Sequence, residues 1–200
     1  MIIGVDFDNT IVCYDKVFHV AAYEKGLIPA DLPVSKGRVR DHLRKNGMEE
    51  TWIEMQGYVY GLCMNQALPY PGVIEFFHQC KARAVPVLII SHKTHHPYQG
   101  PGYDLHQAAH LWLDANGFYD PDKIGLTKQE VFFDLTKQEK LNRIAQMKCT
   151  HFIDDLPELF AEPAFPSSAQ GILFDPNDIY NSVPMLKRAQ SWKMVQTFLI

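Results

Sequence analysis

Residues 1–10 read Met1-Ile2-Ile3-Gly4-Val5-Asp6-Phe7-Asp8-Asn9-Thr10, and this stretch decides the fold. Ile2 to Val5 is a short apolar run without alternation, the pattern of a strand covered on both faces. Asp6 and Asp8 follow at i and i+2, so both carboxylates project to the same side of an extended backbone. Like charges that close repel, and a hard divalent cation such as Mg²⁺ relieves the repulsion. Asp and Asn also favour turns, so the same letters suit an acidic strand-to-turn junction. Position favours a ligand site, because open α/β sheets bind ligands at the carboxyl ends of their strands.

Working outward, four more apolar runs read as buried strands: Val85 to Ile90, Val131 to Phe133, Phe152-Ile153 and Ile172 to Phe174. Helical patterns lie between them. One opens at Pro71-Gly72 and carries Val73, Phe76, Phe77 and Cys80. A second runs from about Leu105 to Asn116 and stops at Gly117. A third starts at the capping-box pattern Thr136-Lys137-Gln138-Glu139 and continues through Leu141, Ile144 and Met147. Strands alternating with helices predict an α/β fold with a parallel sheet and right-handed crossovers. The alternation breaks once, over residues 13–69, which hold helical patterns and no convincing strand. The expected organisation is therefore a core of residues 1–12 and 70–200 with a helical insertion at 13–69.

Composition narrows the function classes. The chain has 200 residues, a formal charge of −4 and 46% hydrophobic residues. That excludes a disordered chain and gives no basic face for nucleic acid. No run of about 18 apolar residues exists to span a membrane. The start lacks a basic segment and a long apolar segment, so no secretory signal is expected. Cys13, Cys63, Cys80 and Cys149 are widely spaced and read as free thiols, which predicts a reducing, cytoplasmic setting. Nothing in the pattern sets an oligomeric state.

Further chemistry-bearing residues fall at the ends of the other strands. Asp154-Asp155 follows Phe152-Ile153, and Leu156-Pro157-Glu158 looks like a helix start. Adjacent aspartates there suit a turn or a metal site shared with Asp6 and Asp8. Ser91 ends the strand Val85 to Ile90, where a hydroxyl can donate to a phosphoryl oxygen. Lys137 falls in the first turn of its helix, where the dipole disfavours a cation, so it suggests an anionic partner. Lys140, one turn later, is its rival. His92 and Lys93 open a loop that continues through His95, His96 and Pro97 to Tyr103. The insertion carries a basic run, Lys36, Arg38, Arg40, Arg44 and Lys45, followed by Trp52, Tyr58 and Tyr60.

In order, D-x-D-x-T, Ser, Lys and Asp-Asp on one sheet rim resemble the haloacid dehalogenase (HAD) superfamily of phosphohydrolases. The resemblance covers about residues 1–12 and 70–175. It implies a Rossmann-like sheet of order 5-4-1-2-3, with residues 13–69 as a C1-type cap. By that resemblance Asp6 is the nucleophile, Asp8 the general acid and then base, and Lys137 (in preference to Lys140) the neutralising cation. Thr10 would support the motif turn and belong to the phosphate site with Ser91, His92 and Lys93. Mg²⁺ would be held by Asp6, the backbone carbonyl of Asp8, and an acid of Asp154-Asp155. The bare Asp-Asp departs from the family's Gly-Asp-x-x-x-Asp, which leaves open which acid binds. The second aspartate, Asp8, favours phosphatases over dehalogenases.

The implied function is a Mg²⁺-dependent phosphatase that cleaves a small phosphorylated metabolite through an aspartyl-phosphate. A phosphotransferase using the same intermediate and a non-catalytic binding protein of this fold are the alternatives. The four motifs grip only the phosphoryl group, so selectivity is expected from Arg38, Arg40, Trp52, His95 and His96. Trp52, Tyr58 and Tyr60 read first as the core of the insertion, with a substrate platform as the alternative.

Overall fold

The computed structural model describes residues 1–180 and 187–200. The chain divides into two compact units, residues 1–12, 69–93 and 117–200 in the first and residues 13–68 and 94–116 in the second. Each is described by itself. The main helices, in chain order, are α1 (Asp15–Glu24), α2 (Lys36–Lys45), α3 (Glu49–Gly61), α4 (Val73–Ala82), α5 (Leu105–Ala115), α6 (Lys137–Gln146), α7 (Pro157–Phe160) and α8 (Trp192–Leu199).

The first unit is built on a parallel sheet. Its strands are β1 (Ile3–Val5), β2 (Val87–His92), β3 (Val131–Asp134), β4 (His151–Asp154), β5 (Gln170–Phe174) and β6 (Lys187–Ala189), in spatial order β3-β2-β1-β4-β5-β6. Read from the other edge, this is the expected 5-4-1-2-3 with β6 added beside β5. β6 is absent from the five strands expected, because Lys187-Arg188-Ala189 is an edge strand with little apolar signal. β1 is central, with Val5 registered on Ile89 of one neighbour and on Ile153 of the other. β1 and β4 therefore end within one residue of each other while β2 runs three residues further, to His92, and the residues that follow them share one rim. Gly4 permits the close packing under that rim: a Cβ there would come within 2.5 Å of the Phe152 ring.

Both faces of the sheet are covered, which is why its strands read as unbroken apolar runs. On one face Leu88, Ile90 and Phe152 pack with Leu141 and Ile144 of α6 and with Leu159 of α7. Elsewhere in the unit Trp192 of α8 packs near Phe76 and Phe174, with ring centroids 4.9 and 5.5 Å apart. Burying a side chain of that size contributes about 1.5–3 kcal/mol. The start of α6 is fixed by the expected capping box. Glu139 N donates to Thr136 Oγ1 at 3.1 Å, and Thr136 N donates to the Glu139 carboxylate at 3.0 Å.

The second unit is helical and differs from the expected insertion in its limits. Residues 94–116, including α5, belong to it, whereas the sequence reading placed them in the core. The reason is packing that periodicity does not reveal. Trp112 of α5 is buried and its indole N–H donates to the Ala67 carbonyl at 2.8 Å. Gly61 lies so close to Tyr103 that a Cβ would meet its side chain at 2.4 Å. Trp52 is buried against Phe18, with ring centroids 5.0 Å apart, and Tyr60 packs edge-on to Phe18. These rings form the core of the unit. Among the described residues, no helix is long and apolar enough to cross a membrane. The four cysteines are free thiols, three buried and Cys13 half-buried.

Candidate active site

The chain after β1 turns sharply. Ile11 N and Val12 N both donate to the Phe7 carbonyl, at 3.0 and 3.1 Å, and Asn9 takes a left-handed backbone with φ of 60°. Asn tolerates that conformation better than most residues. The turn leaves Asp6 at the strand end and Asp8 on its shoulder. Thr10 is buried beneath, with its carbonyl accepting from the Trp192 indole at 3.0 Å. Its hydroxyl has no hydrogen-bond partner among the described residues. Thr10 thus backs the motif turn from the core side.

Asp6 lies at the centre of a buried charge cluster. Lys140 Nζ donates to Asp6 Oδ1 and to Asp154 Oδ2, both at 2.6 Å, and Ser91 Oγ donates to Asp6 Oδ1 at 2.8 Å. Asp154 Oδ1 also accepts from Leu156 N at 2.9 Å. Burial pushes the Asp6 carboxyl up from 3.8 to about 6; Lys140 opposes the rise and the Asp154 charge adds to it. Burial works against the Lys140 ammonium as well, but the two carboxylates outweigh it and hold Lys140 above its usual range. Each partner is what makes the other's charge tolerable in the core.

This corrects the preference for Lys137. Lys140 is buried at the site, whereas Lys137 is half-exposed and paired with Glu162. The two lysines lie one turn apart on α6. Lys137 opens the helix about 4.5 Å further along the axis, outside the buried stretch Lys140, Leu141 and Ile144. The anionic partner inferred for a lysine at a helix start exists, but it is a protein carboxylate. Helical periodicity does not separate the two, since Lys140 sits four residues before Ile144 and Lys137 four before Leu141.

Beyond Ser91, strand alternation separates the next two residues. Lys93 turns inward, and its ammonium donates to both oxygens of Asp8 at 3.1 and 2.8 Å. His92 turns outward to solvent, its ring Nε2 lying 3.1 Å from the Leu135 carbonyl oxygen, so it does not share the buried side of Ser91 and Lys93. In the second unit, Arg40 is paired with Asp41 and His95 is stacked on His106 with ring centroids 4.5 Å apart.

Carboxylate oxygens of Asp6, Asp154 and Asp155 all lie within 4.8 Å of one another. The donor set fits a hard divalent cation. Three carboxylates gather there, two of them bridged by Lys140, and oxygen donors suit Mg²⁺. The Asp8 carboxylate is not one of these three; it meets Lys93.

Solved structures match this architecture over nearly the whole chain. A phosphoserine phosphohydrolase-like protein from Francisella tularensis subsp. tularensis SCHU S4 aligns over 99% of each chain at 14% identity, with a TM-score of 0.57. A HAD hydrolase, family IA, variant 3, from Entamoeba histolytica HM-1:IMSS aligns over 97% of each at 10% identity, with a TM-score of 0.59. A HAD family hydrolase from Deinococcus radiodurans R1, with bound phosphate and sodium, aligns over 98% of this chain and 93% of that one at 14% identity, TM-score 0.57. No protein-family model and no curated protein matches the sequence. The fold is that of the HAD-superfamily hydrolases.

Proposed function

We propose that this protein is a Mg²⁺-dependent phosphomonoesterase that hydrolyses a small phosphorylated metabolite through an aspartyl-phosphate. The observation that carries the reading is Lys140 bridging Asp6 and Asp154, with Ser91 on Asp6 and Asp155 within reach. Phosphoryl transfer asks for positioning and charge neutralisation above all, and that is what this cluster offers. Asp6, Asp154 and Asp155 would hold the metal. Bound there, Mg²⁺ supplies Lewis-acid neutralisation of the phosphoryl oxygens and screens their repulsion with Asp6.

The residues then have distinct tasks. An Asp6 oxygen attacks phosphorus while the bond to the leaving oxygen breaks, and Asp8 gives that oxygen a proton. Asp8, now a carboxylate, takes a proton from water, which attacks phosphorus and releases phosphate and Asp6. Two easier steps replace one hard one. Ser91 fixes the orientation of the nucleophile, and Lys140 neutralises it through both steps. Asp8 also supports a phosphatase over a dehalogenase, since a halide leaving group needs no proton.

The test is release of inorganic phosphate from a panel of metabolite esters, with Mg²⁺ and with excess chelator. Metal-dependent release that disappears in Asp6→Asn is expected. Phosphate transfer to an added alcohol in place of water would establish the phosphotransferase. No metal-dependent cleavage of any ester would overturn the reading.

A further inference from the structure

The cation that a phosphoryl-transfer site needs beside its nucleophile is Lys140, yet the rim holds a second buried ammonium. The Lys93 side chain is 2% exposed, and Asp8 meets it with both carboxylate oxygens. A buried lysine is costly unless paired. The pairing repeats the one beside it: Ser91 meets Asp6 and Lys93 meets Asp8, each across 85 residues of sequence. The end of β2 therefore presents one donor residue to each carboxylate of the motif, with His92 between them facing out. Lys93 is itself anchored, since its backbone N–H donates to the Asp134 carbonyl at 2.9 Å.

We propose that Lys93 is a positioning residue for Asp8, fixing the orientation in which the Asp8 carboxyl group meets the leaving-group oxygen. The inference rests on the phosphatase reading. In its first step an Asp6 oxygen bonds to phosphorus, the bond from phosphorus to the leaving oxygen breaks, and the Asp8 proton passes to that oxygen. A carboxylate on a turn has several rotamers and a broad terminal torsion. Contact from Lys93 to both oxygens selects one arrangement. A misplacement of about 1 Å at a reacting group costs on the order of 10²-fold. That cost depends on the leaving group: a nitrophenolate departs without a proton, whereas an alkoxide needs one.

The experiment compares kcat and KM for 4-nitrophenyl phosphate and for an alkyl phosphate, with Mg²⁺. The proteins are wild type, Lys93→Met, Lys93→Arg, Asp8→Asn and the Asp8→Asn/Lys93→Met double variant. Lys93→Met should lose about 10²-fold in kcat on the alkyl ester and under about fivefold on the aryl ester, with KM within about threefold. Lys93→Arg should recover part of the loss. In the Asp8→Asn background, Lys93→Met should cost under about threefold more, because its route of action is already gone. Should Lys93→Met not fold, Lys93→Gln replaces it with the same expected ratio between esters. Equal losses on both esters, additive losses in the double variant, or a raised KM with unchanged kcat would each overturn the inference. No turnover by the wild type would overturn the phosphatase reading itself, and this inference with it.

Discussion

The two units handle charge in opposite ways. On the rim of the first, Asp6, Asp154, Lys140 and Lys93 are buried and held in short contacts. In the second, the basic helix α2 keeps its arginines in water, while Lys36 at its start lies over the Tyr14, Phe18 and Tyr60 rings, 5.8, 5.6 and 5.4 Å from their centroids. Arg40 pairs with Asp41 at 2.8 Å and Arg44 with Glu49 at 2.7 Å, all four about half-exposed or more. Its interior belongs to aromatic rings, among them Phe18 and Trp52. Buried charge survives only where partners hold it in place, and such ordered charge can meet a phosphoryl group without reorganising. Exposed pairs are screened and contribute little. A run of basic letters is thus a weaker sign of chemistry than one lysine among apolar neighbours.

The strongest challenge to this contrast is Asp6→Asn. It should abolish phosphate release, by about 10³-fold or more, while circular dichroism shows an intact fold; an amide cannot serve as the nucleophile. Wild-type rates in that variant would remove the first unit's claim to the chemistry.

Lys140→Met should come next, with kcat lowered by about 10²–10³-fold, the scale of losing one preorganised charge contact. It also strips Asp6 and Asp154 of their shared cation, so Tm should fall or depend strongly on Mg²⁺. Lys137→Met, one turn away, should change kcat by less than about twofold, as expected for an exposed pair. The reverse ranking would return the role to Lys137.

In the second unit the sensitive positions should be rings. Trp52→Ala is expected to destabilise that unit by about 3–5 kcal/mol, as truncation of a buried aromatic does. Thermal unfolding followed by tryptophan fluorescence measures it. A selective loss on one substrate with unchanged Tm would instead make Trp52 a substrate platform.

A subtler difference is pH dependence. Burial raises the Asp6 carboxyl to about 6, so the charged form is present above that pH and is lost as pH falls through it. Keeping Asp6 charged opposes folding above about 6, and bound Mg²⁺ relieves that cost. The apparent Mg²⁺ affinity should weaken by about tenfold per pH unit below about 6, because a proton competes for the same oxygen. A flat affinity between pH 5 and 7 would contradict it. The smallest effect is expected on α2: Arg44→Ala should leave Tm and cleavage of a minimal aryl phosphate unchanged.

From the linear chain alone, the β1 run followed by Asp6 and Asp8, the β/α alternation and the α6 capping box were legible. Each is a local pattern in which neighbouring residues carry the whole signal. Asp154-Asp155 and Ser91 were legible for the same reason, as polar residues ending apolar runs. The choice between Lys137 and Lys140 was not, since both lie within one turn of the same helix start and their burial depends on where α6 meets the sheet. Nor was the partner of Lys93, because strand alternation tells which residues share a side but not what stands opposite. The allegiance of residues 94–116 was hidden too: α5 has the periodicity of any amphipathic helix, and only Trp112 reaching Ala67 shows which core it joins. Periodicity and turn chemistry act over a few residues, so sequence determined the elements and their ends. Pairing of charges and assignment of helices to cores act across distances of 14 to 134 residues, and only the tertiary structure decided them.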